Sequence, residues 1–228
     1  MIVKLPGIRA IFGRLSATLR RDPDRFLWDV SGVIHVGANA GQERDRYDSL
    51  GLRVLWIEPI PMIFKILQAN IKGFPNQRAI QGLVTDRDDE SYQFHLSNNS
   101  GLSSSILDLK QHKDIWPDVH YVASIPLTGT TLTSLLQRAD IDPSDYQALV
   151  MDTQGSELLV LRGAVPVLQH FRYIKTEVPD FESYADCCQL ADIDTFMTQH
   201  GFRESSRDMF ANRAEGGSYY DVVYRRRA

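Results

Sequence analysis

The stretch that decides the fold is Val33-Ile34-His35-Val36-Gly37-Ala38-Asn39-Ala40-Gly41. Its first four residues form a mostly apolar, β-branched run, which predicts a short buried strand. The remaining five residues are small, and a loop of this kind lets backbone N–H groups approach a ligand closely. A helical stretch, Gln42–Leu50, follows the loop and ends at Gly51. The order strand, small-residue loop, helix indicates the first βα unit of an α/β sheet.

Short β-rich runs alternate with helical stretches along the rest of the chain, which is typical of a parallel sheet built from βαβ units. Further strands are predicted at Arg53–Ile57, Ala79–Val84, Ala148–Met151, Tyr173–Thr176, Phe202–Phe210 and Tyr219–Tyr224. Further helices are predicted at Ile60–Ile71, Leu132–Ala139, Glu157–Leu168 and Ile193–His200. The last two strands flank a polar turn and form a predicted hairpin, which places one antiparallel strand in the sheet.

A long insertion separates the third predicted strand from the fourth. Ser91–Leu127 contains the alternating residues Tyr92, Phe94 and Leu96 and then a small polar loop, Ser97–Ser105. Strict alternation of apolar and polar residues predicts half-buried strands. We therefore expect extra β structure here, with its loop near the functional site.

Length and composition exclude several classes of protein. The chain has 228 residues, of which 43% are hydrophobic and 24% charged, as in ordinary globular domains. No apolar run approaches the roughly 18 residues of a membrane span. The net charge of −4 provides no general attraction for nucleic acid, so no nucleic-acid partner is expected. The adjacent cysteines, Cys187 and Cys188, cannot form a disulfide framework, and a reducing, cytoplasmic location is the simpler expectation.

The first 30 residues form a predicted basic extension, and residues 31–228 form the predicted catalytic or binding domain. Residues 1–25 carry six lysines and arginines against two aspartates. Their apolar residues recur at helical spacing, which predicts a basic amphipathic helix. These residues are Ile8, Ile11, Phe12, Leu15 and Leu19. Such a helix can pack on the domain, lie on a membrane surface as a peripheral contact, or cover the site.

The polar residues of the predicted strand ends are the candidates for chemistry, because parallel α/β sheets bind ligands at the carboxyl ends of their strands. The residues at these ends are Gly37, Glu58, Thr85, Asp86, Asp152 and Glu177. Glu58 closes the second strand, 17 residues after Gly41. A carboxylate at that point can accept hydrogen bonds from both ribose hydroxyls of a nucleoside.

The loop does not have the G-x-G-x-x-G spacing of dinucleotide sites, because Gly41 is the fourth residue after Gly37. This spacing favours a nucleoside ligand without a diphosphate, a description that S-adenosylmethionine fits. Alternatively, the two glycines only form a tight turn between strand and helix.

Six segments together give the chain a specific resemblance to the FkbM-type, S-adenosylmethionine-dependent methyltransferases, from about residue 33 to residue 224. They are HVGANAGQE at 35–43, WIEPIP at 56–61, SNNSGLSSSI at 97–106, MDTQGSELLVLRGA at 151–164, KTEV at 175–178 and GSYYDVVY at 217–224. The resemblance implies a class I, Rossmann-like methyltransferase fold. That fold is a seven-stranded, mostly parallel sheet with its last strand antiparallel and helices on both faces. It also implies methylation of hydroxyl groups on sugars or complex natural products.

We expect the cofactor to contact the first loop, the ends of the second to fourth strands and the serine-rich loop. The expected cofactor-binding residues are His35, Gly37, Ala38, Asn39, Gly41, Glu58, Pro59, Thr85, Asp86, Ser104 and Asp152. Many family members have Asp at the position of His35, so here other groups must hold the methionine end. His35 is then either a cofactor contact or an ordinary strand histidine.

Asp152 and Glu177 are the predicted catalytic residues, since they end neighbouring strands where the methyl group would be presented. Methyl transfer to a hydroxyl requires that the acceptor be aligned and lose its proton. Either carboxylate can take that proton directly. Alternatively both, with Gln154, can hold a divalent cation that lowers the hydroxyl pKa. The metal-free version is favoured because three clear acidic ligands are not evident.

Two other functions are compatible with this sheet, in addition to an O-methyltransferase with a small-molecule or glycan acceptor. A nicotinamide-dependent oxidoreductase would use the same fold, although the glycine spacing argues against it. A non-catalytic binding module would keep the nucleoside pocket and use the basic N-terminal segment as an interface.

Overall fold

A seven-stranded sheet forms the centre of the computed structural model, which describes residues 23–227. Its strands are β1 (Gly32–Val36), β2 (Arg53–Glu58), β3 (Gln77–Gln81), β7 (Ala148–Met151), β8 (Tyr173–Pro179), β9 (Phe202–Asn212) and β10 (Ser218–Arg226). They lie in the order β3-β2-β1-β7-β8-β10-β9, and β10 alone runs antiparallel to its neighbours in this sheet. The expected class I architecture with a reversed last strand is confirmed.

Helices cover both faces of this sheet, and each face has its own apolar core. The helices are α1 (Arg44–Ser49), α2 (Pro61–Ile71), α3 (Leu132–Arg138), α4 (Glu157–Gly163) and α5 (Leu190–Gln199). Tyr47 of α1 and Leu67 of α2 pack on one face with Val54 and Trp56. The helices α3, α4 and α5 pack on the opposite face, against Ile34 and Leu55 among others. Successive strand residues point to opposite faces, so both cores draw on the same strands.

The insertion forms a second, three-stranded sheet, as expected from its alternating residues. Its strands are β4 (Leu83–Val84), β5 (Ser91–Ser97) and β6 (Tyr121–Thr130), in the order β4-β6-β5. The predicted single strand Ala79–Val84 is wrong, because it divides at Gly82 between the two sheets. A Cβ at Gly82 would lie 2.9 Å from the Leu135 side chain, so the glycine allows α3 to pack closely where the chain changes sheets.

The predicted helix Glu157–Leu168 is also too long. The α-helical part ends at Gly163, and a 3-10 helix continues from Val165 to His170. Pro166 has no backbone N–H and cannot continue the i to i−4 hydrogen bonding of α4.

The N-terminal amphipathic helix and most of the predicted extension lie outside the described residues. The described chain begins just before a 3-10 helix, Arg25–Asp29, whose Phe26 and Leu27 are buried against the face of the sheet that α1 and α2 cover. Within residues 23–227, no helix is both long enough and apolar enough to span a bilayer.

Candidate active site

A cavity opens at the carboxyl ends of β1, β2 and β7, with an enclosed volume of about 50 Å³ inside an empty space of about 550 Å³ that includes open solvent. The second sheet and its serine-rich loop provide the remaining wall. The residues that line the cavity from the ends of the main-sheet strands and the loops after them include Gly37, Asn39, Glu58, Pro59, Asp152 and Gln154. Residues from the second sheet and its loop include Leu83, Val84, Phe94, Leu102 and Ser104. Glu58 and Asp152 therefore share one cavity.

Gly37 holds the first loop against the end of β7. Its φ is +80°, and an added Cβ would lie 1.9 Å from the backbone oxygen of Asp152. The backbone N–H groups of Gly37 and Ala38 both donate to the Ile57 carbonyl, at 3.0 and 3.1 Å. These contacts join the ends of β1, β2 and β7 at the cavity. Only glycine satisfies both the positive φ and the close approach.

Glu58 accepts two hydrogen bonds from the backbone. Its Oε2 accepts from the Asn39 N–H at 2.8 Å, and its Oε1 accepts from the Ile60 N–H at 2.8 Å. Burial raises the pKa of this carboxyl to about 7, although the two N–H groups partly oppose the shift. Each carboxylate oxygen has a second lone pair, so both can still accept a hydrogen bond from a ligand hydroxyl.

Asn39 connects the first loop to the insertion. Its φ is +44°, its side-chain Oδ1 accepts from the Ala40 N–H, and its Nδ2 donates to the Ser100 carbonyl at 3.1 Å. The serine-rich loop is itself ordered by hydrogen bonds between Ser97 and Ser104, and Ser104 lines the cavity. This loop is therefore a structured wall of the site.

Two successive hydrogen bonds, through Gln154 and Tyr184, hold the Asp152 carboxylate in place. The Gln154 Nε2 donates a short hydrogen bond to the Asp152 Oδ1, and the Tyr184 hydroxyl donates to the Gln154 Oε1 at 2.6 Å. Gln154 has a φ of +55°, which is uncommon for a residue other than glycine. Burial raises the pKa of Asp152 to about 7. Tyr184 has no signal in the sequence, because it lies 30 residues from Gln154 and joins it only in the fold.

Glu177 stands in a row of carboxylates beside the cavity. Met151 pairs with Thr176, so Asp152 and Glu177 are neighbours across β7 and β8, and Glu177 pairs with Asp221 of β10. Burial and the Asp152 and Asp221 charges raise the pKa of Glu177 well above its ordinary value. Lys175 forms ion pairs with Asp221 at 3.4 Å and Asp24 at 2.8 Å. Glu177 does not itself line the cavity.

Five of the expected cofactor-binding residues do not line this cavity. His35 packs among rings: its Nδ1 lies 3.1 Å from the Tyr47 hydroxyl, and it stacks on Trp56 at 5.0 Å. Burial lowers its pKa. Ala38 is buried in the core, and Gly41 packs against Leu67 of α2. Thr85 and Asp86 are also outside the lining, and the Thr85 hydroxyl donates to the Arg87 carbonyl.

The carboxylates do not form a recognisable metal centre. Within residues 23–227, no group of three or more His, Cys, Asp or Glu side chains is placed to hold a metal ion. Asp152 instead accepts a hydrogen bond from Gln154, and Asp221 pairs with Lys175.

The sequence profile of the Methyltransferase FkbM domain matches residues 35–204. The chain belongs to the FkbM methyltransferase family. A search of curated proteins gave no match to this FkbM-family chain. Its cofactor is S-adenosylmethionine, and the family assignment favours a methyltransferase over the nicotinamide-dependent alternative.

Several solved structures share the fold of this FkbM-family chain. Magnesium protoporphyrin IX methyltransferase from Synechocystis PCC 6803 is 10% identical, with a TM-score of 0.50, over 100% of this chain and 87% of that one. The METTL16 methyltransferase domain is 10% identical, with a TM-score of 0.51, and the match covers 98% of this chain and 70% of that domain's chain. An uncharacterised Listeria monocytogenes protein is 9% identical, with a TM-score of 0.52, and the match covers 91% of this chain and 67% of that protein's chain. These similarities support the class I fold.

The cavity residues of this FkbM-family chain fit the chemistry of S-adenosylmethionine. Glu58 offers two carboxylate oxygens with lone pairs available for ribose hydroxyls. Leu83, Val84 and Phe94 supply an apolar wall of the kind that a planar adenine base requires. The residues present can therefore hold this cofactor.

Proposed function

We propose that this FkbM-family chain is an O-methyltransferase that acts on a hydroxyl of a saccharide or related natural product. The observation that carries the proposal is the position of Asp152 on the wall of the cavity that also contains Glu58. Its pKa of about 7 suits a general base at neutral pH, since a useful fraction is deprotonated while the carboxylate remains a good proton acceptor.

The proposed cofactor contacts come from three parts of the cavity wall. Glu58 accepts hydrogen bonds from the ribose hydroxyls. Asn39 and Ser104 bind near the methionine end, and the apolar residues Leu83 and Phe94 contact the adenine. The bound cofactor supplies an activated methyl group on a sulfonium centre. The chain aligns the acceptor and removes its proton.

Asp152 would take the hydroxyl proton as the acceptor oxygen bonds to the methyl carbon and the bond from that carbon to sulfur breaks, with S-adenosylhomocysteine as the leaving group. Gln154 and Tyr184 fix the orientation of the Asp152 carboxylate through their hydrogen bonds. Glu177 acts on Asp152 from the neighbouring strand, because two adjacent carboxyl groups resist simultaneous ionisation. A direct proton transfer of this kind requires no metal ion.

The test is a methylation assay with S-adenosylmethionine and a panel of free and nucleotide-linked sugars, read by intact mass and by NMR of the product. We expect a gain of one methyl group on oxygen. Asp152→Asn should lower kcat by about 10²–10⁴-fold and leave cofactor affinity nearly unchanged. The wild-type rate should rise with pH through about 7, where Asp152 loses its proton.

Asp48→Asn is the matched control, because Asp48 is an exposed carboxylate on α1, remote from the cavity. It should retain the wild-type rate and pH profile. A kcat for Asp152→Asn within threefold of wild type would exclude the proposed base. A product methylated on nitrogen would contradict the O-directed reaction.

A further inference from the structure

Five arginines gather at the end of the main sheet opposite the cavity, and we call this group the arginine edge. Arg172, Arg203, Arg225, Arg226 and Arg227 line one open depression of about 750 Å³. The depression lies where β8 begins and β10 ends, because Arg225 pairs with Tyr173 and with Arg203. Asp152 follows β7 and Glu177 lies in the C-terminal half of β8, at the other end of the parallel strands. The arginine edge is therefore separate from the active site.

The arginine edge forms no ion pair with a carboxylate within residues 23–227, unlike most of the other described arginines. Arginines that lie within 4 Å of a carboxylate include Arg44, Arg46, Arg53, Arg87, Arg138, Arg207 and Arg213. Within residues 23–227, no ion pair is formed by a member of the arginine edge. Such a concentration of positive charge contrasts with the net charge of −4 for the whole chain.

The five arginines are not equivalent. Arg226 donates to the Phe171 and Leu168 carbonyls and lies over the Phe202 ring, so it has a structural role. Arg172 donates to the Asp29 carbonyl. Arg203, Arg225 and Arg227 are exposed, and their guanidinium groups make no hydrogen bond within residues 23–227. Arg225 lies over the Tyr173 ring at 5.8 Å, and the N–H groups of all three arginines remain available for an external anion.

An exposed tryptophan lies beside this edge. Trp28 is 64% exposed, and the next residue, Asp29, binds Arg172. The Asp29 carboxylate accepts from the Tyr173 hydroxyl, so the acidic side chain is already engaged. Tryptophan is enriched at the headgroup level of membranes, where its ring is partly apolar and its N–H is hydrated. The sequence immediately before, residues 1–22, is also rich in arginine and in apolar residues.

We propose that the arginine edge and Trp28 form a docking surface for a membrane that contains anionic phospholipids. Guanidinium groups bind phosphate oxygens in bidentate fashion, and several arginines on one surface add their attraction to a negative bilayer. The adjacent tryptophan favours a bilayer over a polynucleotide as the partner. In this orientation the active-site cavity faces away from the bilayer and stays open to its acceptor.

Vesicle co-sedimentation of the full-length chain tests this proposal. The probes are phosphatidylcholine vesicles with and without about one third phosphatidylserine. The test variant carries Arg203→Gln, Arg225→Gln and Arg227→Gln. The control carries Lys65→Gln, Lys72→Gln and Arg78→Gln, which removes the same charge from exposed positions near the β3 edge. We expect binding only to the anionic vesicles, and a loss on the order of 100-fold in the test variant, at about fivefold per arginine.

The control variant should bind anionic vesicles within about twofold of wild type, whereas Trp28→Ala should weaken binding by several-fold. Equal losses in the two triple variants would show that only net charge matters and would overturn the proposal. Unchanged vesicle binding in the test variant would also overturn the proposal, because the basic residues 1–25 would then account for the membrane binding. Displacement by inorganic phosphate beyond the effect of sodium chloride at equal ionic strength would indicate a free-anion site instead. Binding to a single-stranded oligouridylate without binding to vesicles would also overturn it.

Discussion

Glu58 is buried, and it forms no ion pair with a cationic side chain among the described residues. Two backbone N–H groups are its hydrogen-bond donors, and burial raises its pKa to about 7. Ligand hydroxyls would add two more donors to the carboxylate, which favours the ionised form. A bound nucleoside should therefore stabilise the charge that this buried residue carries.

Replacing Glu58 with glutamine should weaken cofactor binding by roughly 1–3 kcal/mol, or about 5- to 150-fold in Kd. The amide loses a charged acceptor and also places an NH₂ group against a backbone N–H. Isothermal titration with S-adenosylmethionine measures the change. Asp86→Asn is the comparison, because Asp86 does not line the cavity and its substitution should leave Kd unchanged. An unchanged Kd for Glu58→Gln would remove Glu58 from the proposed ribose contact.

At the residue scale, the sequence predicts the polar ends of the strands well and the side-chain partners poorly. Gly37, Glu58 and Asp152 meet at the cavity because parallel strands end at one edge of the sheet. His35 lies one residue from that edge, but strand alternation directs it to the opposite side, onto Trp56. Tyr184 reaches Gln154 from a distant irregular segment, and no local pattern predicts such a contact.

At the scale of elements, the close approach of the loop after β1 to the end of β7 depends on one glycine. Gly37→Ala should destabilise the fold by on the order of 3 kcal/mol, because the added methyl group meets the Asp152 carbonyl and the residue must keep a positive φ. Urea denaturation measures the free energy of unfolding. Cofactor affinity should fall as well, since the displaced loop carries Asn39.

Gly51→Ala is the matched control for this substitution. Gly51 has a φ of +66°, but an added Cβ would meet no atom within 4 Å. It should therefore cost only the conformational penalty of about 1–2 kcal/mol. Equal losses at the two positions would mean that the contact with Asp152 contributes nothing.

The type and order of most elements could be predicted from sequence periodicity, while several of their boundaries could not, including the end of β8 and the start of α5. Ala79–Val84 reads as one apolar strand, yet Gly82 lets the chain leave one sheet for the other because α3 packs against it. The end of α4 depends on the backbone chemistry of Pro166 more than on its apolar periodicity. Local pattern specifies the direction of side chains, but the choice of sheet depends on tertiary packing.

For the whole molecule, the strand-end carboxyls make stability depend on pH. Glu58 and Asp152 both have a pKa of about 7 in the folded chain, whereas the ordinary pKa values of Glu and Asp side chains are 4.5 and 3.8. Between about pH 4 and pH 7 the folded chain therefore binds more protons than the unfolded chain. The free energy of unfolding should fall as the pH rises through this window, and the raised pKa of Glu177 acts in the same direction.

Asp152→Asn should flatten this dependence by up to about 1 kcal/mol per pH unit, because it removes one of the titrating groups. The variant should consequently be more stable than wild type at pH 8. Urea unfolding in a series of buffers from pH 5 to pH 8.5 measures both slopes. Asp48→Asn should keep the wild-type slope. A wild-type stability that rises steadily across this range would contradict the assignment of buried, protonated carboxyls.

One wall of the cavity comes from the second sheet and its loop. This segment contributes no strand to the main sheet. Leu83, Phe94 and Ser104 come from this segment, whereas Glu58 and Asp152 come from the main sheet. Natural variation in length and side chains can thus reshape the pocket without moving the two carboxylates. Exchange of this segment alone would alter the proposed adenine and methionine contacts and leave Glu58 and Asp152 in place, and laboratory grafts between family members have a defined boundary, from Gly82 to Thr130.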